Sequence, residues 1–237
     1  MHWDGEGLII GVRRHGETSV IAEVMVAGRG RCLGLVRGGR SPKLSATLQP
    51  GNTVQVSWRA RLEEHLGTFQ LELLDARAAA LISDRLRLYA SQLVCEHLHL
   101  LPERDPHDRL LAMAERIMEQ DSPPAALGAA VARYELALLE ELGFGLDLTS
   151  CAATGVTSDL THVSPKSGRA VSRAAAEPYL SRLLRLPPFL VDDASEPQPG
   201  EIADAFKLTG YFLDAHVWMP RQLDQPPIRD TLVALVG

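Results

Sequence analysis

The hydrophobic period of the chain changes near residue 77. Before that point the apolar positions come in short runs or alternate with polar ones. Gly7–Val12 is a short apolar run and Ser19–Val26 is rich in β-branched residues. Arg31–Val36 follows the turn signal Ala27-Gly28-Arg29-Gly30, and Thr53–Trp58 and Thr68–Leu73 alternate cleanly. This pattern predicts five short strands punctuated by Gly, Pro and Asn. Such a set suits a small closed barrel of the OB type; an SH3-like barrel or half of a sandwich carries the same pattern.

Beyond Asp75 the period is helical. Ile82, Leu86, Tyr89, Leu93 and His97 recur at steps of three and four, predicting one helix over 78–101 that ends at Pro102. Pro106 opens a second helix with Leu110, Leu111, Ala114, Ile117 and Met118 on its face. Leu127, Val131, Tyr134, Leu138 and Leu142 line a third, closed by Gly143. Two final helices are expected near 201–219 and 227–236, and the Pro-rich stretch 187–200 reads as a loop. Between them, Thr161–Val163 and Arg169–Val171 flank a turn and read as a small hairpin. The expected class is therefore α+β, a five-stranded barrel over 1–77 followed by a helical domain over 78–237.

Composition refines this picture. The 237 residues are 46% hydrophobic, which supplies a sizeable core. No run approaches the length of a membrane helix. The acidic start Met1-His2-Trp3-Asp4-Gly5-Glu6 is unlike a signal peptide, so a cytoplasmic location is expected. The three cysteines, Cys32, Cys95 and Cys151, are far apart and read as reduced thiols. The net charge of −6 is unevenly spread. Residues 1–80 carry ten basic against eight acidic side chains, and the remainder fourteen against twenty-two. In the first part Arg29, Arg31, Arg37, Arg40 and Lys43 form a run with no acidic residue between them, a candidate phosphate-binding stretch or a solvated loop.

Catalytic patterns are missing from the sequence. It holds no phosphate-cradling P-loop, no dinucleotide fingerprint, no nucleophile elbow and no paired histidine metal motif. His97 and His99 stand two apart, which on a helix points them to different faces. Trp58 and Phe69 alternate with polar neighbours and read either as barrel core or as base-stacking platforms. Cys151-Ala152-Ala153-Thr154-Gly155 begins like half of a four-cysteine zinc site. Thr154 stands at the second ligand position, and Ser172 and Ala175 stand where the returning pair would be. One cysteine of four cannot supply the tetrahedral thiolate set, so neither zinc nor any other cofactor is expected.

Several stretches together resemble the RecO family. They are Arg13-Arg14-His15-Gly16-Glu17-Thr18-Ser19; Val36-Arg37-Gly38-Gly39-Arg40-Ser41-Pro42-Lys43-Leu44 with Leu48-Gln49-Pro50-Gly51; and Arg133-Tyr134-Glu135-Leu136-Ala137-Leu138-Leu139-Glu140-Glu141-Leu142-Gly143-Phe144-Gly145. Cys151–Gly155 and Val163–Arg169 follow at the family's spacing. The resemblance implies an OB-fold DNA-binding domain, a helical domain and, over about 146–173, a degenerate form of the zinc-finger-like insert found in many members. It also implies a non-enzymatic recombination mediator that binds single- and double-stranded DNA and anneals complementary strands. Such a mediator works with RecR, contacts the acidic C-terminal tail of single-stranded DNA-binding protein and helps load RecA. A protein adaptor that links RecR to the coated DNA with little DNA contact of its own is the alternative. On this resemblance Arg29, Arg31, Arg37, Arg40 and Lys43 are the expected DNA contacts. Arg133, assisted by Arg182 and Arg185, is expected at the partner tail, unless Glu135 neutralises it.

Overall fold

The computed structural model describes residues 1–119 and 121–237. Five strands come first: β1 (His2–His15), β2 (Ser19–Val26), β3 (Gly30–Val36), β4 (Thr53–Arg59) and β5 (Thr68–Asp75), with a short helix α1 (Pro42–Thr47) between β3 and β4. Then follow α2 (Arg77–Leu81), α3 (Arg85–Leu98), α4 (Asp108–Glu119) and α5 (Pro124–Glu141). The chain continues with β6 (Leu160–Val163), β7 (Ala170–Ser172), α6 (Arg173–Ala176), β8 (Leu184–Arg185), α7 (Glu201–Leu213) and α8 (Pro227–Val236). The compact units are residues 1–120 and 121–237. The change of period at residue 77 thus marks the end of the strands, while α2, α3 and α4 pack within the first unit.

The first five strands close into a barrel of order β1-β2-β3-β5-β4. β1 is twice the length its apolar run indicates because it serves two partners. Its first half pairs with β4 up to Leu8↔Thr53, its second with β2 up to His15↔Ser19, and an irregularity between Ile9 and Gly11 bends it from one to the other. Alternation sends Val20, Ala22, Val24 and Val26 inward to meet Cys32, Val36, Val54 and Val56. Trp58 and Phe69 are 4% and 3% exposed, so they are core. β3 touches β5 at one parallel pair, Leu35↔Thr68. Further back along β3 the chain after α3 covers the edge: Arg31 bridges to Glu103, and the Arg104 amide donates to the Arg31 carbonyl at 2.9 Å. Asn52, 2% exposed, ties three elements together. Its amide donates to the Ala46 and Thr47 carbonyls, and its oxygen accepts from the Ala78 amide.

The helix expected over 78–101 is two helices. Asp84 takes an extended conformation and its carboxylate accepts from the Arg87 amide at 3.1 Å, starting α3 afresh. Ile82 lies in the break and is 75% exposed instead of on the apolar face. In the second unit α5 is buried on most of its circumference, through Leu127, Val131, Tyr134 and Leu138, and packs against α7 and α8. Each Leu or Phe fully buried there contributes roughly 1.5–3 kcal/mol. Gly143 ends α5 at φ 86°, the left-handed conformation that favours glycine. The β6–β7 hairpin forms where expected and gains β8 as a third strand, in the order β7-β6-β8. α7 stops at Leu213 and runs on as a wider turn over Asp214–Trp218.

Candidate nucleic-acid interface

The basic run of the sequence divides between the two ends of β3. Seven residues of strand span about 20 Å, and Arg31 and Arg37 stand at opposite ends of it. Arg31 serves the fold. Its guanidinium pairs with Glu23 at 2.8 Å and donates to the Leu101 carbonyl at 2.9 Å, with its side chain 16% exposed. Arg29 is exposed and lies 4.8 Å above the Trp3 ring, which stacks on Trp58 at 5.9 Å. Arg104 covers Trp58 and holds the β4–β5 loop by donating to the Glu63 and His65 carbonyls. Arg29 and Arg104 thus cover the Trp3–Trp58 pair.

At the far end of β3, Leu44 and Leu48 pack on the barrel core and the side chains around them are basic. Arg37, Arg40 and Lys43 are all exposed. Their loop leaves β3 through a glycine pair and enters α1, where the Ser41 hydroxyl accepts from the Leu44 amide and Pro42 fills the first turn. Arg40 clasps the loop to the β1–β2 turn. Its amide donates to the Thr18 carbonyl at 3.2 Å and its guanidinium to the Glu17 carbonyl. The clasp brings Arg13, Arg14 and His15, all exposed, to the same end of the barrel. The strand pattern alone does not reveal this neighbourhood, because it depends on which strand pairs with which.

The three arginines expected at the partner tail have different neighbours. Arg133 donates to the Phe189 carbonyl at 2.9 Å, lies against the Phe189 ring and is 3.5 Å from Asp193. Glu135 is directed instead to Arg229. Arg185 is 3.6 Å from Asp204. Arg182 lines an open groove of about 660 Å³ together with Lys166, Tyr179, Tyr211, Ala152 and Leu183.

The four positions of the degenerate ligand set do meet. Cys151 is 1% exposed, and its sulfur accepts hydrogen bonds from the Ser172 hydroxyl (3.4 Å) and amide (3.3 Å). Those two bonds, with a further one from Thr154, stabilise the thiolate and draw the thiol pKa down to about 6. Ala175 packs on the same small cluster. One thiol, two hydroxyl-bearing residues and a methyl do not fit a zinc ion. Among the described residues no three His, Cys, Asp or Glu side chains are grouped to hold a metal, and no helix is long and apolar enough to cross a membrane.

The chain is a strand barrel with an exposed arginine-rich end followed by a second, largely helical unit, and its two parts match the family models of a class of recombination proteins. Residues 1–77 match the family model described as the N terminus of recombination protein O, and residues 82–223 match the C-terminal one. The chain belongs to the RecO family of DNA repair proteins. It is 52% identical to the DNA repair protein RecO of Methylobacterium nodulans over 240 residues, covering 99% of this chain and 98% of that one. It is also 52% identical to RecO of Brucella abortus (100% and 96% covered) and 53% identical to RecO of Rhizobium etli (98% and 91%).

Proposed function

We propose that the chain is a non-catalytic recombination mediator whose OB-type barrel binds DNA strands through the loop of Arg37, Arg40 and Lys43. On this reading it anneals complementary strands and, with RecR, helps load RecA onto DNA coated by single-stranded DNA-binding protein. The observation that carries it is the exposed basic stretch at the end of β3. Its guanidinium and ammonium groups, with Arg40 held by the Glu17 carbonyl, neutralise phosphates on approaching strands, lowering their mutual repulsion without any nucleotide hydrolysis. Arg29 adds an exposed charge at the far end, while Arg31 is committed to Glu23.

The test is annealing of complementary single strands over a salt series. The Arg37→Ala/Arg40→Ala/Lys43→Ala variant is expected to stay folded. Its plot of log binding constant against log salt is expected to be shallower by about 2, at roughly 0.7 per single-strand phosphate contact. If neither protein anneals, the chain is an adaptor joining RecR to the coated DNA. If both anneal equally, the loop is not the site.

For the partner tail, the groove beside Arg182 offers what an acidic C-terminal peptide requires: a largely apolar lining with two exposed cations, Lys166 and Arg182. Arg133, already bonded to Phe189, orders the neighbouring segment, and Arg185 stands outside the groove lining. Arg182→Ala is expected to weaken a tail peptide at least tenfold, whereas Arg185→Ala has a smaller effect.

A further inference from the structure

Two basic positions more than twenty residues apart in sequence, Arg14 and Arg37, come together at one end of the barrel. The β1–β2 register places Arg14 opposite Val20, and the β2–β3 register places Val20 opposite Val36. With strands about 4.8 Å apart, the Arg14 backbone lies roughly 10 Å from that of Val36, the residue before Arg37. Arg13 stands one position earlier, opposite Ile21 and then Leu35, so strand alternation sends its side chain to the face opposite that of Arg14. The Arg40 clasp on Glu17 and Thr18 fixes the turn against the loop, so the relative placement of the two charged stretches is set by the fold.

Arg13, Arg14, Arg37 and Lys43 are exposed, and among the described residues none is engaged by a carboxylate. Within residues 12–19 and 36–44 the one acidic side chain is Glu17. Exposed apolar anchors are scarce here, with Val12 at 38% the one large hydrophobic of those two stretches to protrude. A protein partner needs a pocket for an apolar anchor, whereas a phosphodiester backbone needs spaced cations and no pocket.

We propose that Arg14 is a further DNA contact, extending the stretch of Arg37 and Lys43 into a single phosphate track across the β1–β2 turn. This rests on the reading of the loop as the DNA site. A strand lying on the track meets cations from two separate segments, so its backbone follows the barrel end and not the loop alone.

The experiment is fluorescence anisotropy of a labelled oligothymidylate with the full chain over a sodium chloride series. Arg14→Ala is expected to lower the salt slope by about 0.7 and Arg37→Ala/Lys43→Ala by about 1.4, at roughly 0.7 per contact. The combined variant is expected to lose about 2.1. Arg14→Lys, which keeps the charge, is expected to retain the wild-type slope, and it is compared with Arg14→Gln if the alanine variant fails to fold. If the Arg14 variant keeps the slope while the loop variant loses it, the extension is wrong and the loop reading stands. If neither variant changes the slope, both fall. Equal competition by a polyglutamate peptide of matched charge would show a general acidic-partner surface and overturn the phosphate assignment.

Discussion

Glu135 of α5 and Arg229 of α8 form a buried, doubly hydrogen-bonded ion pair, at 2.7 and 2.9 Å, with side chains 0% and 6% exposed. Thr209 of α7 donates to the same carboxylate, so three helices meet at one pair of charges. Burial by itself would lower the Arg229 pKa, but the Glu135 charge and its hydrogen bonds together raise it above the ordinary arginine value. Removing one partner leaves the other charged and unpaired in the core. Glu135→Ala is therefore expected to cost about 3–5 kcal/mol of unfolding free energy in urea denaturation. Glu135→Leu/Arg229→Met, which removes both charges, is expected to recover much of that loss. Equal losses in the two variants would mean that packing, not charge pairing, makes this site matter.

Gly30 sits at φ 71° where β3 begins, and a Cβ there would lie 1.9 Å from the Asp105 carbonyl oxygen. Neither backbone can yield without breaking the cover over the β3 edge. Gly30→Ala is expected to destabilise the first unit by more than about 2 kcal/mol. Gly38, also at positive φ but with open space around it, is expected to tolerate alanine with a smaller loss. Thermal melting of the two variants checks the order.

Arg31 separates a structural from a DNA-binding role within the basic run. Arg31→Ala leaves Glu23 with His99 at 3.8 Å as its remaining neighbour and frees the Leu101 carbonyl, and is expected to cost about 1–3 kcal/mol of stability. The salt slope of DNA binding is expected to stay within about 0.3 of wild type, well below the roughly 0.7 of one lost contact. A full contact's loss of slope would return Arg31 to the DNA site.

The three thiols are expected to titrate apart. Burial pushes Cys95 up to about 12 and raises Cys32, whereas the Ser172 hydrogen bonds bring Cys151 down to about 6. At pH 7.5 thiolate absorbance at 240 nm should come from Cys151 and vanish in Cys151→Ala. The stability consequence follows the sign of the shift. With the folded pKa near 6 and the unfolded value near 9, the unfolded chain binds more protons between those limits, so this contribution grows with pH. It is complete above about 9 and lost as pH falls through about 6. Urea midpoints that rise from pH 6 to 9 in wild type, and rise less in Cys151→Ala, are the expected result.

The sequence by itself determined the strands, the period change at residue 77, most helices and the β6–β7 hairpin, because two-residue and 3.6-residue periodicities are local consequences of which face is buried. It also put Arg37, Arg40 and Lys43 close together in the chain, but the structure places Lys43 in the first turn of α1, a short helix that the strand pattern did not reveal. Only the tertiary structure decided the rest. Five basic residues contiguous in pattern went to opposite ends of a strand, because a strand of seven residues carries its ends far apart. Arg31 met Glu23 and Leu101, and Glu135 chose Arg229 over the nearby Arg133, because ion pairs form across elements whose packing the linear order does not encode. Arg14 came beside Arg37 through two strand registers, each set by burial of alternate residues in a barrel that must close on itself.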